Sequence, residues 1–378
     1  MQRSRVYLDA GGSQPISRRV ADALVAGIAD GWADPDRLHT ESRRSRALLE
    51  GSREAIADAI GARPEHLHFL PTPHLAFERI VAGMAASRRG SDRMVVGATE
   101  RDALIDAAHS CFGDAIETIP TQAEGHIDTD ALETALAIPG VAIAAIQHAN
   151  QEIGTVQRLD RIADLTDAAG VPLLVDATAS IGHIDPPGRW DALVGHAADW
   201  GGPAGIAFIA TTPRTRWLPA WAGRGGFAPG GVNVALALAA AVALQEREEQ
   251  RSATDAHLRR LVDTVREGVS TIDGIDLVGD PHERLPHVLT FSCLYADGEA
   301  LVSELDRAGF AIGSGSACAT GTLEPSRVLA AVGALTHGNV RLSLPPTVTD
   351  GDIEAFLKEL PPALDRIRTR LGAPPTHS

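Results

Sequence analysis

Cys318 sits in the run SGSACATG, among small residues that cannot build much packed surface. A thiol there is expected on an exposed loop, where it can ionise, whereas most free cysteines are small buried hydrophobes. Cys111 and Cys293 fall in helix-like and strand-like contexts and are expected to pack in the core. Amine chemistry has one source: of 34 basic residues, Lys358 is the single lysine. Its surroundings, TDGDIEAFLKEL, predict a helix with Thr349 as N-cap, Asp352 three residues on, and Ile353, Phe356, Leu357 and Leu360 on the apolar face. Lys358 lies off that face, four residues after Glu354, as in an exposed ion pair. Further groups able to do chemistry stand at or near strand ends: Asn150 in HANQE, Asp176 closing PLLVD, His196 in VGHAAD and Arg341 within VRLSL.

The elements that must position these residues are legible as a rhythm. Apolar runs at 66–70, 93–97, 115–120, 141–148, 172–177, 192–198 and 205–210 read as strands, most of them separated by helical periodicity. The runs are continuous rather than alternating, which predicts a mostly parallel sheet buried on both faces. In such sheets ligands bind beyond the carboxyl ends of the strands. PISRRVADALVAGIAD predicts a first helix with Ile16, Val20, Leu24 and Ile28 on one face. A long helix over roughly 231–270 leads to a different rhythm of strands and helices. The expected division is a large α/β domain over 16–245 and a small α+β domain over 246–378, joined by residues 1–15 and carrying the Cys318 loop.

Composition narrows the function classes. A formal net charge of −15 with no basic block argues against nucleic acid as a direct partner. The longest apolar run, Val232 to Leu244, is too short for a membrane span and reads as a buried helix. Three scattered cysteines show neither metal spacing nor a disulfide framework. No metal or membrane is expected, and the cytoplasm is the expected address.

Several segments, in order along nearly the whole chain, strongly resemble the cysteine desulfurases, pyridoxal-phosphate enzymes of the class V aminotransferase group with the type I fold. They are YLDAGGSQP, HANQEIGTVQ, VDATASIGHID, WGGPAGIAFI, GSGSACATGTLEPSRVLAAVG and GNVRLSL. The resemblance implies roles. Asp176 matches the partner of the cofactor's pyridine nitrogen, Asn150 the residue near its ring hydroxyl, Arg341 the arginine that grips a substrate carboxylate, and Cys318 the persulfide-carrying thiol. It also implies a homodimer, with a heterodimer containing a lysine-bearing paralogue as the other arrangement, and a sulfur-acceptor protein as partner.

The departures fall on the chemistry. In the ungapped alignment anchored on WGGPAG, the position of the imine-forming lysine holds Asp199; keeping GH in register instead needs a two-residue insertion and places Ala197 there, and neither alignment yields an amine. The histidine that stacks on the cofactor ring is Arg101, and a glutamine after the aspartate motif is Ala179. The phosphate loop has become LPTPHLAFE, in which two prolines supply no N–H donor to an anion. A loop touching the phosphate from the second subunit is shortened to GRGGFAPGG. The resulting expectation is a desulfurase-like protein degenerate for pyridoxal-phosphate chemistry, acting in sulfur transfer through Cys318. The alternatives are a lysine-independent enzyme using the aminated cofactor, with His196 moving protons, and a still-active desulfurase that converts cysteine to alanine and enzyme persulfide.

Overall fold

All seven apolar runs form strands of one sheet. The computed structural model describes residues 5–88, 90–218, 231–314 and 326–373, so Cys318 and most of GRGGFAPGG lie outside the described residues. The chain opens with β1 (Val6–Tyr7), α1 (Arg18–Asp30) and α2 (Thr40–Ala59). There follow β2 (Leu67–Leu70), α3 (Pro73–Ser87), β3 (Arg93–Gly97), α4 (Asp102–Phe112), β4 (Ile116–Ile119), α5 (Thr129–Leu136), β5 (Val141–Gln147) and α6 (Leu159–Ala169). Next come β6 (Leu173–Asp176), β7 (Ala192–His196) and β8 (Ala207–Thr211). The sheet order is β2-β8-β7-β6-β5-β3-β4, and β8 alone runs against the others. Successive side chains point to opposite faces: Val95, Leu173 and Val175 join one apolar cluster, Met94, Val96 and Leu174 the other. Burial on both faces is why these strands read as unbroken apolar runs.

α7 (Val234–Ser270) is 37 residues long and serves two cores. Its first part, through Leu244, packs with the cluster on one face of the large sheet, and Leu258 to Val269 pack with a second cluster. That second cluster surrounds an antiparallel sheet of β9 (Ile275–Val278), β10 (Val288–Cys293) and β12 (Asn339–Ser343), in the order β12-β10-β9. α8 (Gly298–Arg307), β11 (Phe310–Ala311), α9 (Arg327–Ala331) and α10 (Asp350–Leu371) complete the chain, and β1 pairs with β11 in parallel. The Thr349–Asp352 capping box starts α10 as its sequence predicts.

Three expectations need correction. Cys111 is exposed on the outside of α4, whereas Cys293 is buried and its thiol is pushed up to about 12 by that burial. On α1, Val20 is buried but Ile16 and Ile28 are 40% and 62% exposed. The buried stripe is rotated toward Gly27, whose missing Cβ would lie 2.6 Å from the Ala235 Cα, so that α1 approaches α7 closely there. Lys358 is exposed as expected, but it makes no ion pair with Glu354.

Candidate functional site

β3, β5, β6 and β7 run in the same direction and end side by side, with Gln147 opposite Asp176 and Asp176 opposite Val194. Their carboxyl ends gather most of the residues singled out from the sequence. Asp176 is 3% exposed and fully engaged. Its Oδ1 accepts from the backbone N–H of Thr178 at 2.9 Å and from the Thr178 hydroxyl at 2.6 Å, the local turn that an aspartate two residues ahead of a threonine favours. Its Oδ2 accepts from Arg101 Nε at 2.7 Å. Burial opposes the charge on Arg101, but Asp176, Asp199 and Glu100 together hold its pKa above the ordinary guanidinium value.

Arg101 is the N-cap residue of α4 and makes no capping bond. The turn that carries it, Thr99–Glu100–Arg101, is fixed from both sides. Glu100 Oε1 accepts from the Gln147 N–H at 2.9 Å, while Glu100 Oε2 is buried without a partner. Burial pushes this carboxyl well above the usual carboxylate range. Arg327, at the start of α9, donates to the carbonyls of Ala98 and Glu100 and to Asp102, pinning the small sheet's side of the molecule to the same turn.

Asp199 lies in a 3-10 turn, Ala197–Trp200, just after β7. Its Oδ2 is 2.7 Å from His196 Nδ1. Its carbonyl accepts from Gln14 Nε2 at 2.9 Å and from His183 Nε2 at 2.7 Å. That contact makes Nε2 the protonated nitrogen of His183, leaving Nδ1 to accept from Arg247 at 2.7 Å. His183 in turn stacks on His287, ring centroids 3.8 Å apart. Burial, then the nearby His287 and Arg247, hold His183 well below its ordinary value.

Asn150 stands at the rim of the same cluster with every position used. Its Nδ2 donates to Thr99 O at 3.0 Å and Gln147 Oε1 at 3.2 Å; its Oδ1 accepts the N–H groups of Glu152 and Ile153, both at 2.8 Å. Arg341 is set apart on β12, where it donates to Asp9 Oδ1 at 3.0 Å and leaves its Nε buried without a partner. The segment after Asp9 connects the two groups, since Gly12 faces Asp199 Oδ1. Ser326 donates to Glu152 Oε1 at 2.6 Å and Gly313 pairs with Arg341, so both described flanks of the Cys318 segment border this cleft.

Of the residues singled out from the sequence, the structure brings Asp176, Asn150 and His196 to the strand ends and sets Arg341 apart; sequence reasoning did not name Glu100, Gln147, Thr178, Gln14 or His183. Thr178 carried a signal, the Asp-x-Thr turn. The others become partners only when distant strand ends meet.

Pyridoxal phosphate is the group that the family resemblance implies for this cleft, and the residues present do not fit it. Asp176, which the resemblance pairs with the ring nitrogen, is bonded to Arg101, and Asn150, which it places at the ring hydroxyl, has every hydrogen-bonding position used. At the phosphate end, Pro73 occupies the first turn of α3 without an N–H, and the Leu75 N–H is taken by Thr72 Oγ1 at 3.2 Å. The single lysine of the sequence, Lys358, is on α10.

The family model "Aminotransferase class-V" matches residues 6–214 and 224–356. Cysteine desulfurase IscS 1 of Archaeoglobus fulgidus is 29% identical over 96% of this chain and 98% of its own length. An IscS-like cysteine desulfurase of Mycobacterium tuberculosis is 31% identical over 96% of this chain and 97% of its own. Among solved structures, a NifS-like protein superposes with a TM-score of 0.86 at 21% identity, covering 97% of this chain and 99% of that one. A cysteine desulfurase from Thermococcus onnurineus, in its apo form, gives 0.81 at 19% identity over 94% and 93% of the two chains. With its fold, its motif order and these matches in agreement, the chain belongs to the class-V aminotransferases, on their cysteine desulfurase branch.

Proposed function

We propose that this protein is a member of the branch that has given up pyridoxal-phosphate catalysis and works as a sulfur-transfer partner, accepting sulfur at Cys318. One observation carries the reading: Asp199, aligned with the family's lysine, is bonded to His196 at 2.7 Å, while the chain's single lysine, Lys358, is exposed on α10. An imine to the cofactor has no amine to form from in this cleft.

The sulfur step needs no cofactor. The Cys318 thiolate attacks the outer sulfur of a persulfide on a donor protein. The donor's S–S bond breaks, its thiolate leaves, and Cys318 becomes the persulfide. The family's habit supports a homodimer as the working form, in the cytoplasm.

The test is to incubate purified protein with an active desulfurase and cysteine and to follow one added sulfur on the Cys318 peptide by mass spectrometry. The expected result is sulfur on Cys318, none on Cys318→Ser, and no visible absorbance retained after incubation with excess pyridoxal phosphate and desalting. Alanine release from cysteine by this protein alone, above a Cys318→Ala control, would overturn the reading in favour of an active desulfurase.

A further inference from the structure

Two helices begin with an arginine that makes no capping bond, α4 with Arg101 and α6 with Arg158; Arg158 is exposed on the surface, whereas Arg101 is mostly buried. Seven other helices begin with a Ser, Thr, Asp or Asn whose side chain accepts a backbone N–H of the first turn: Ser17, Thr72, Asp128, Asn233, Asp297, Ser326 and Thr349. An arginine can accept nothing, and a cation at a helix N-terminus opposes the macrodipole. α4 therefore takes backbone hydrogen bonds from Arg101, through its carbonyl, but no cap from its side chain. The residue's side-chain contacts all lie in the cleft, where its guanidinium reaches across the sheet to Asp176, with only 16% of the side chain exposed and 4% of its partner's. Asp199 adds a second negative charge beside it. A planar cation bonded to Asp176 is what a protonated pyridine ring presents to a carboxylate.

We infer that Arg101 is the residue that decides what this cleft admits: its guanidinium is a built-in planar cation that occupies Asp176 and shuts out a cofactor ring. This deepens the proposed function and rests on it, because the acid in the lysine's place and the cation on Asp176 are two halves of one charge rearrangement. A site merely missing its lysine would keep a bare Asp176 and would still attract the ring. This one has its charge neutralised from within.

The experiment measures pyridoxal phosphate binding by equilibrium dialysis, without any assay of turnover. Wild-type protein is compared with Arg101→Ala, Arg101→His and the double variant Arg101→Ala, Asp176→Asn, each checked for a cooperative thermal transition. The expected result is binding weaker than about 1 mM in the wild type and at least about tenfold tighter in both single variants, with the gain lost in the double variant. Methylguanidinium, which restores the missing group in solution, should compete with the cofactor in Arg101→Ala. Equal affinity in wild type and single variants overturns the inference, whether both bind or neither does. Should the single variants fail to fold, the wild type still decides. A slowly exchanging Arg101 Nε–H resonance that collapses in Asp176→Asn supports the plug, and its absence in the wild type overturns it. Failure here leaves sulfur acceptance at Cys318 standing, and failure of that reaction leaves the binding comparison standing.

Discussion

Asp199 shows how far one residue can be understood alone. The ungapped alignment singled it out, and the resemblance is what assigns its position to the lysine. What it does now was invisible, because its partners come from far away: Arg101 from the β3–α4 turn, Gln14 from the N-terminal segment, His183 from beyond β6. The obvious reversion, Asp199→Lys alone, should therefore damage the protein instead of repairing it. It removes the carboxylate bonded to His196 and sets an ammonium beside the buried Arg101 guanidinium. Losing a buried hydrogen bond and leaving its partner unsatisfied costs about 1–3 kcal/mol, to which the new like-charge contact adds. The expected outcome is a lower denaturant midpoint at pH 7.5 with unchanged slope, and no gain in cofactor binding. Asp199→Asn, which keeps the shape and one hydrogen bond, should lose clearly less. Equal midpoints for Asp199→Lys and wild type would mean that Arg101 does not depend on Asp199.

At the scale of the element, the sequence supplied existence and type but not orientation. Continuous apolar runs located all seven strands of the large sheet, and the Thr349 cap located α10. Periodicity erred on α1 because it counts apolar side chains, and a glycine can mark the closest contact while adding nothing to that count. Gly27 and Gly51 make the point. Both are helix-interior glycines, and propensity alone predicts that alanine stabilises each by about 0.5–1 kcal/mol. In the structure a Cβ at Gly51 meets nothing within 4 Å, whereas one at Gly27 meets the Ala235 backbone at 2.6 Å. Gly51→Ala should gain about that amount. Gly27→Ala should lose about 1–3 kcal/mol, because backbone cannot step aside and α1 must be lifted off α7. Urea denaturation of the two variants checks the signs; a stabilised Gly27→Ala would show that the α1–α7 approach is looser than described.

The molecule as a whole is sensitive to acid in a direction that its composition does not reveal. A net charge of −15 suggests tolerance of mild acid, since protonation relieves repulsion. Burial argues otherwise. Desolvation holds His68 and His148 at about 4 and His287 at about 3, with His183 well below its ordinary 6.5. In the unfolded chain these imidazoles titrate near 6.5, so below that pH the unfolded state binds protons that the native state refuses. Stability is then lost as pH falls from 6.5 toward 4, by about 2 kcal/mol per histidine at pH 5 as an upper figure. Three carboxyls act the other way. Burial holds Asp255 at about 6, Glu100 well above 4.5 and Glu152 above 4.5, so each takes its proton first in the native state and gains stability over part of the same range. Asp255 is half-buried, with its Oδ1 enclosed and without a partner among the described residues. Four histidines outweigh the three acids, and the denaturant midpoint is expected to fall between pH 7 and pH 5. His287→Phe isolates one contribution. It keeps an aromatic ring against His183 and removes the buried Nδ1 that has no partner. At pH 7 the variant should match or exceed the wild type, and its loss on going to pH 5 should be smaller by up to about 2 kcal/mol. A wild-type midpoint that does not move across that interval would mean that these rings take protons in the native state, and that the layer beneath Asp199 admits charge.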